Sequence, residues 1–277
     1  MVLQLSLAST VKLNNGVEIP ILGLGVYQSP PGKTTRDAVK YALECGYRLV
    51  DTARIYGNEQ DVGQAIHERG LARDRIFVTT KLWNSDHGYE STIRACEESL
   101  RRLGLSYLDL YLIHWPVQGL RRESWKAMVK LLKEGKCRVI GVSNYTIGHL
   151  RELLADSEVV PAVNQVEFHP FLYQRELLDY CRGHKIQLEA YSPLTRGERL
   201  NHPSVVGIAK KHGRTPAQVL IRWGLQHSIV AIPKSVRKQR ILENSRIFDF
   251  SLAPEDMRAL DSLNENYRTC WDPTGIQ

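Results

Sequence analysis

The sequence lacks closely spaced cysteines. Its five cysteines, at positions 45, 96, 137, 181 and 270, are all separated by more than forty residues. This spacing excludes CxxC metal or redox motifs and offers no disulfide framework. No apolar run approaches the roughly 18 residues of a membrane span, and the first residues, MVLQLSLASTVKL, lack the basic start and long apolar core of a signal peptide. These absences predict a cytoplasmic protein with reduced, mostly buried thiols.

A strong charge of one sign is also missing. The 277 residues carry a net charge of +7, but most of the 37 lysines and arginines are interleaved with the 30 acids. A nucleic-acid-binding surface usually shows one basic stripe or a recognised module, and neither is present. Basic residues cluster only in KSVRKQR, residues 234–240. This cluster favours a local site for a small phosphorylated ligand. With 43% hydrophobic and 24% charged residues, the composition is that of a globular protein.

Short β-rich runs alternate with longer amphipathic segments along the chain, which predicts a parallel sheet built from repeated βα units. Eight such runs are present, at residues 21–26, 47–51, 75–81, 108–114, 137–144, 162–169, 186–193 and 228–235. Helical patterns follow six of them, at residues 58–70, 89–104, 122–135, 146–157, 174–184 and 203–213. Eight strands predict an α/β fold, the (β/α)8 TIM barrel, which commonly needs about 250 residues.

Two further segments frame this barrel. TVKLNNGVEIPIL, residues 10–22, has the Asn-Gly turn dipeptide between β-prone runs, which predicts an N-terminal hairpin covering the bottom of the barrel. APEDMRALDSLN, residues 253–264, predicts a C-terminal helix before a short tail. Because no linker or composition break interrupts the series, residues 1–277 are expected to form a single domain.

Ionisable side chains stand at the ends of three consecutive predicted strands. Asp51, Lys81 and His114 end the second, third and fourth strands, and Tyr56 lies in the loop after the second. A barrel places its catalytic residues at the carboxyl ends of its strands, so all four are expected at one rim. Each alone is more often a cap, an ion pair or a packing residue, but their common position favours a shared chemical role.

This set suits proton transfer to a carbonyl. A free phenol has a pKa of about 10, and an adjacent ammonium stabilises the phenolate, so Lys81 is expected to lower the pKa of Tyr56. Asp51 would keep the lysine charged and oriented. His114 could then donate a hydrogen bond to a substrate oxygen and polarise the carbonyl.

With these residues in view, the sequence resembles the aldo-keto reductase family, from about residue 10 to the last residues, and most closely its compact microbial members. GYRLVDTARIYGNEQDVG, MVKLLKEGKCRVIGVSNY and IPKSVRKQRILEN match the three signatures of the family in order. The resemblance implies that Asp51, Tyr56, Lys81 and His114 form the catalytic tetrad. It implies NADPH-dependent reduction of aldehydes, ketones or dicarbonyls, with Tyr56 as general acid.

The phosphate-binding pattern agrees with this family. GLGVYQ has only the first two glycines of GxGxxG, so a Rossmann-type dinucleotide-binding site is not expected. KSVRKQR instead follows the eighth strand and leads into a helix, whose N-terminus favours anions. By resemblance, Lys234, Ser235 and Arg240 contact the 2′-phosphate of the cofactor. The other cofactor contacts implied by the family are Ser143, Asn144, Gln165, Tyr191, Ser192, Leu194, Glu243 and Asn244.

Aromatic residues near the strand ends predict the substrate pocket: Tyr27, Trp83, Trp115 and Trp271. Trp125 and Trp223 lie in helical patterns and are expected in the core, and His169 is expected to be structural. The loop after HWP and the C-terminal tail are short, which favours an open pocket for small carbonyl compounds. GVY at 25–27 replaces the Gly-Thr-Trp that is frequent in the family. The pocket wall on the nicotinamide side is therefore not defined by the resemblance.

Two other functions are compatible with parts of the pattern. An NADP(H)-binding regulatory or sensor subunit would need little turnover, although the intact tetrad argues against it. A Schiff-base aldolase could use Lys81 with Tyr56 as proton shuttle, but Asp51 would favour the charged lysine. No metal site is predicted, the partner is a small carbonyl substrate without nucleic acid or membrane, and analogy with the family suggests a monomer.

Overall fold

Eight parallel strands form the centre of the protein, which is known from a computed structural model describing residues 5–276. Each strand pairs with the next along the chain. After a two-stranded hairpin, β1 (Thr10–Lys12) and β2 (Glu18–Pro20), the parallel strands are β3 (Leu24–Gly25), β4 (Leu49–Asp51), β5 (Phe77–Leu82), β6 (Leu108–Ile113), β7 (Cys137–Ser143), β8 (Val163–Glu167), β9 (Gln187–Tyr191) and β10 (Val230–Ala231). The predicted (β/α)8 barrel is therefore confirmed.

The barrel closes between its first and last strands. Isolated parallel bridges join Leu22 to Ala231 and Gly25 to Lys234, and the amide of Gly25 donates to the carbonyl of Pro233 at 3.2 Å. Both closing strands are shorter than predicted, because Pro233 has no N–H to continue the ladder. A Cβ at Gly25 would lie 2.8 Å from the Ile232 carbonyl oxygen, so a side chain there would push the seam apart.

The N-terminal hairpin covers the end of the barrel opposite the predicted catalytic rim. Leu13 and Ile19 are buried against side chains at the start of the strands, including Leu49 and Phe77. These contacts confirm the predicted hairpin and its position. They also fill the bottom of the barrel with apolar side chains.

Helices surround the sheet, and every helix predicted between strands is present. The helices of the described chain are α1 (Lys33–Glu44), α2 (Glu59–Arg69), α3 (Tyr89–Leu103), α4 (Arg121–Lys133), α5 (Ile147–Asp156), α6 (Arg175–Gly183), α7 (Pro203–His212), α8 (Pro216–Gln226), α9 (Lys238–Ser245) and α10 (Pro254–Asp261). The helix α1 was not predicted, although its buried residues, Thr35, Ala38, Val39, Ala42 and Leu43, follow a helical period. No helix within residues 5–276 is long and apolar enough to cross a membrane.

The expected core residues lie in the core. Trp125 and Trp223 are buried between helices and strands, and the indole of Trp223 donates to Asp261 at 2.7 Å. His169 is fully buried against Glu167, with 3.1 Å between Nε2 and Oε1, as expected for a structural histidine. All five cysteines are free, and three of them are buried.

Candidate active site

The loop after β4 holds Tyr56 over the barrel mouth. Residues Arg54–Tyr56 form a single 3-10 turn, and Gly57 follows in the left-handed region at φ 68°. The buried side chain of Asn58 then holds the loop in place. Its amide donates to the carbonyl of Val26 at 3.0 Å, and its oxygen accepts from the Thr52 hydroxyl at 2.7 Å. Buried polar groups of this kind are costly unless paired, so the pairing fixes the path of the loop.

The four residues predicted as a tetrad meet at this rim. Lys81 Nζ is buried and uses its three hydrogens, donating to Asp51 Oδ1 at 2.7 Å, the Thr52 carbonyl at 2.9 Å and the Tyr56 hydroxyl at 3.3 Å. The rings of Tyr56 and His114 lie 5.8 Å apart in an edge-on arrangement. Lysine, phenol and carboxylate thus form one hydrogen-bonded chain with the imidazole beside it.

Burial determines the protonation of the two groups that face the cavity. Desolvation, reinforced by the charge of Asp51, raises the pKa of Tyr56 well above its usual range. Desolvation, together with the neighbouring Lys81, lowers the pKa of His114 well below its usual range. At neutral pH the site therefore presents a neutral phenol and a neutral imidazole. The expected lowering of the Tyr56 pKa is wrong, because burial outweighs the ammonium.

The tautomer of His114 follows from its surroundings. Its Nδ1 atom is buried and has no hydrogen-bond partner in the described part of the chain. Placing the ring proton on Nε2 leaves no buried donor unsatisfied at Nδ1, which is the cheaper arrangement. Nε2–H then becomes the donor available to a ligand in the cavity.

Polar side chains at the ends of β7, β8 and β9 form a second group beside the tetrad. Tyr191 donates its hydroxyl hydrogen to Asn144 Oδ1 at 2.8 Å, and the Asn144 amide donates to the His114 carbonyl at 3.0 Å. The Ser143 hydroxyl donates to the Gln165 carbonyl at 2.8 Å. Asn144 itself is in the left-handed region at φ 62°, a conformation that asparagine tolerates better than most residues.

One cavity of about 1170 Å³ runs across the rim. All but two of the residues predicted for the site line it. Lys81 and Ser143 are the exceptions, since both are buried behind the wall, where Lys81 contacts Tyr56 and Ser143 contacts Asn144. The predicted residues along the cavity are Tyr27, Asp51, Tyr56, Trp83, His114, Trp115, Asn144, Gln165, Tyr191, Ser192, Leu194, Lys234, Ser235, Arg240, Glu243, Asn244 and Trp271.

One end of this cavity is basic. Lys234 follows β10, and Arg237 and Arg240 lie at the start of α9, all three with exposed side chains. The first turn of α9 has no side-chain cap, so its backbone N–H groups and these cations face the same space. Such an arrangement is a ready site for a phosphate group, which fits the sequence expectation for this segment.

The other end is aromatic. Tyr27 packs on Tyr56 with ring centres 4.9 Å apart, and Trp83 lies edge-on to His114 at 5.2 Å. Trp115 contacts Trp271 of the C-terminal tail at 5.7 Å. Trp271 retains 69% of its exposure, so the aromatic wall is open to solvent on the side of the tail, as the short loops predicted.

Three residues of this region were missed in the sequence. Glu189 is buried beneath Gln165, Glu167 holds the tail by accepting from the Thr269 amide at 2.7 Å, and the Arg196 guanidinium lies 5.6 Å from the Tyr27 ring centre, across the cavity. Only Glu189 had a clear signal. It alternates with Gln187 and Tyr191 on one face of the ninth strand, where an apolar residue would be usual.

The fold is thus a (β/α)8 barrel with a buried lysine hydrogen-bonded to a tyrosine at its rim and a basic, uncapped helix start beyond its last strand. Residues 22–265 match the Aldo/keto reductase family. Glyoxal reductase of Bacillus subtilis (strain 168) is 54% identical over 268 residues, covering 97% of each chain. 9,11-endoperoxide prostaglandin H2 reductase of Trypanosoma cruzi (strain CL Brener) is 52% identical, covering 95% of this chain and 94% of the relative.

Solved structures agree. The crystal structure of a mutant of Gox0644 in complex with NADPH matches with a TM-score of 0.92 and 44% identity, covering 97% of this chain and 98% of that chain. The chain belongs to the aldo/keto reductase family, which confirms the resemblance noted in its sequence.

Proposed function

We propose that this protein reduces aldehydes, ketones or dicarbonyl compounds to alcohols with NADPH. The observation that carries the proposal is the chain from Asp51 through Lys81 to the Tyr56 hydroxyl, ending in a neutral phenol at the cavity wall. The relationship to glyoxal reductase supports small dicarbonyls as the first substrates to examine.

The residues present fit the cofactor. The basic end of the cavity suits the 2′-phosphate on Lys234, Ser235 and Arg240, with Glu243 and Asn244 beside them. Along the middle of the cavity, Ser192 and Leu194 suit the pyrophosphate and Tyr191 a stacked nicotinamide. The carboxamide of that ring would contact Asn144 and Gln165, which Ser143 supports from behind the wall. When bound, NADPH supplies the hydride for the carbonyl carbon.

The residues of this chain supply the proton and the orientation. Nε2–H of His114 donates to the carbonyl oxygen and polarises it, and Tyr56 transfers its phenolic proton to that oxygen as negative charge develops there. Lys81 stabilises the phenolate that remains, since Nζ lies 3.3 Å from it. An alkoxide is a much stronger base than a phenolate, so this transfer is favourable despite the raised pKa of Tyr56.

The two alternatives fit less well. A Schiff-base lysine needs a free amine, whereas all three hydrogens of Lys81 are donated to neighbouring oxygens. A sensor without turnover would not need the phenol aligned with the lysine, and the named relatives are reductases. The reductase reading is therefore favoured over both.

We also propose that the chain acts as a single-domain, cytoplasmic monomer. Four large apolar side chains of residues 5–276 are exposed, and three of them, Tyr27, Ile55 and Trp271, border the cavity. Of these four, Leu120 is the one that does not border the cavity, so the described surface has no apolar patch away from the site among its large exposed side chains. Light scattering of the purified protein and a single unfolding transition would support this; a stable dimer or two transitions would contradict it.

The enzyme assay follows the loss of NADPH absorbance with purified protein and a panel of glyoxal, methylglyoxal, simple aldehydes and keto sugars. Consumption that requires both the carbonyl and NADPH, and that is weaker with NADH, is expected. Tight NADPH binding without consumption across the whole panel would contradict the proposal and favour the sensor function.

A further inference from the structure

Two carboxyl groups share one amide beneath the tetrad. Gln165 Nε2 donates one hydrogen to Asp51 Oδ2 and the other to Glu189 Oε2, each at 2.8 Å. The two carboxyl groups are thus within two hydrogen-bond lengths of each other. Glu189 is fully buried, Asp51 and Gln165 are each 2% exposed, and Glu189 Oε1 has no partner among residues 5–276.

This arrangement fixes the orientation of Gln165. With the amide turned over, its oxygen would face the Asp51 carboxylate and Nε2 would lose both of its present hydrogen bonds. An unpaired or repelled buried polar group is costly. In the observed orientation both hydrogens are used. The side chain lines the cavity, and its Oε1 atom makes no hydrogen bond in the described chain, so the amide offers a ligand only an acceptor.

We propose that Glu189 is a positioning residue, an inference that rests on the proposed function. Together with Asp51 it holds Gln165 so that the carbonyl oxygen of that side chain accepts a hydrogen bond from the nicotinamide carboxamide. Asp51 has a second duty, since its other oxygen pairs with Lys81 at 2.7 Å. Within residues 5–276, the carboxyl of Glu189 has no hydrogen-bonded partner other than Gln165. Its loss therefore tests the lock without breaking the tetrad.

Glu189 also makes the lock sensitive to pH. The charged groups that face it are Asp51 on β4 and Lys81 on β5, while its strand neighbours Gln165 and Val230 are neutral. Desolvation and the charge of Asp51 raise its pKa to about 8, against the opposing effects of Gln165 and Lys81. It is therefore neutral at pH 7 and adds a buried negative charge beneath the nicotinamide site at higher pH.

The test uses Glu189→Leu and Glu189→Gln in the full chain, with Thr79→Val as control. Thr79 is buried on β5, next to Asp51 on β4, and its hydroxyl has no partner in the described residues. NADPH binding is measured at pH 7 by quenching of tryptophan fluorescence, independently of turnover. Loss of one hydrogen bond predicts about three- to tenfold weaker binding for Glu189→Leu, and values near wild type for Glu189→Gln and Thr79→Val.

The pH dependence of cofactor binding gives a second readout that does not need the leucine variant to fold. Because an ionised Glu189 attracts the cationic ring of NADP⁺, the ratio of the NADPH to the NADP⁺ dissociation constant should rise severalfold above about pH 8 in the wild type. NADPH and NADP⁺ both carry the 2′-phosphate, so the effect of its titration cancels in the ratio of the two dissociation constants. In Glu189→Gln the ratio should stay flat.

Wild-type binding in a folded Glu189→Leu variant, or an unchanged pH dependence in Glu189→Gln, would overturn the inference. Both results leave the reductase function intact if NADPH consumption persists. Failure of the wild type to bind NADPH would instead overturn the proposed function, and this inference with it.

Discussion

Burial of the Glu189 carboxyl predicts how the free energy of unfolding of the ligand-free protein changes with pH. Asp51 and Glu189 share one amide inside the barrel, and Lys81 pairs with Asp51. Because a single ammonium neutralises one carboxylate, the other carboxyl holds a proton in the folded state. The ion pair between Asp51 and Lys81 assigns that proton to Glu189.

The size of the effect follows from the raised pKa. Glu189 titrates near 4.5 in an unfolded chain and at about 8 in the folded protein. Between these values the folded state binds one proton more than the unfolded state, so the free energy of unfolding falls by about 1.4 kcal/mol per pH unit. The stabilisation is complete below pH 4.5 and is lost as pH rises through 8, a total on the order of 5 kcal/mol.

Glu189→Gln removes this proton linkage and keeps the shape of the side chain. Urea unfolding at pH 5, 6.5 and 8 should show the variant gaining stability relative to the wild type at each step. Glu68→Gln is the matched control, because hydrogen bonding to Lys40 lowers the pKa of Glu68 and it stays ionised across this range. A difference between Glu189→Gln and wild type that does not change with pH would refute the proton assignment.

Three further predictions concern the site itself. Tyr56→Phe should lower kcat by about 10²- to 10⁴-fold while leaving the NADPH dissociation constant near wild type, with Tyr145→Phe as an unaffected control; retained turnover would remove Tyr56 as proton donor. Arg240→Gln should weaken NADPH by about ten- to a hundredfold and NADH little, as measured by fluorescence titration; equal losses would place Arg240 away from the 2′-phosphate. Trp271→Ala should raise KM for aromatic aldehydes more than for glyoxal in steady-state assays, whereas equal changes would exclude Trp271 from the substrate wall.

The rim of the barrel was predictable because its signal is local. A polar residue ending an apolar strand is visible in the sequence, and parallel strands bring such ends together without further information. Asp51, Lys81 and His114 could therefore be grouped before any distance was known. The seam between β3 and β10 was harder to delimit, since its length depends on Pro233 and on the close approach at Gly25.

Contacts made by distant segments were not predictable in the same way. Glu167 binds the backbone of Thr269 and Cys270 in the C-terminal tail, and nothing in either segment indicates the other. Arg196 reaches the ring of Tyr27 from a loop whose left-handed residues set its path. Such pairings depend on loop conformation, which spacing and periodicity do not encode.

The pKa of Tyr56 shows how burial can reverse a reasonable inference and still support the chemistry. Spacing indicated an ammonium beside the phenol, and that contact is present at 3.3 Å. The same packing that brings Lys81 there also desolvates the phenol and brings Asp51 near it, and these effects dominate. A phenol that stays protonated suits a general acid better than a general base. In this family member the geometry therefore favours the proposed protonation of a carbonyl oxygen by Tyr56, in which the ammonium of Lys81 would stabilise the negative charge left on the tyrosine.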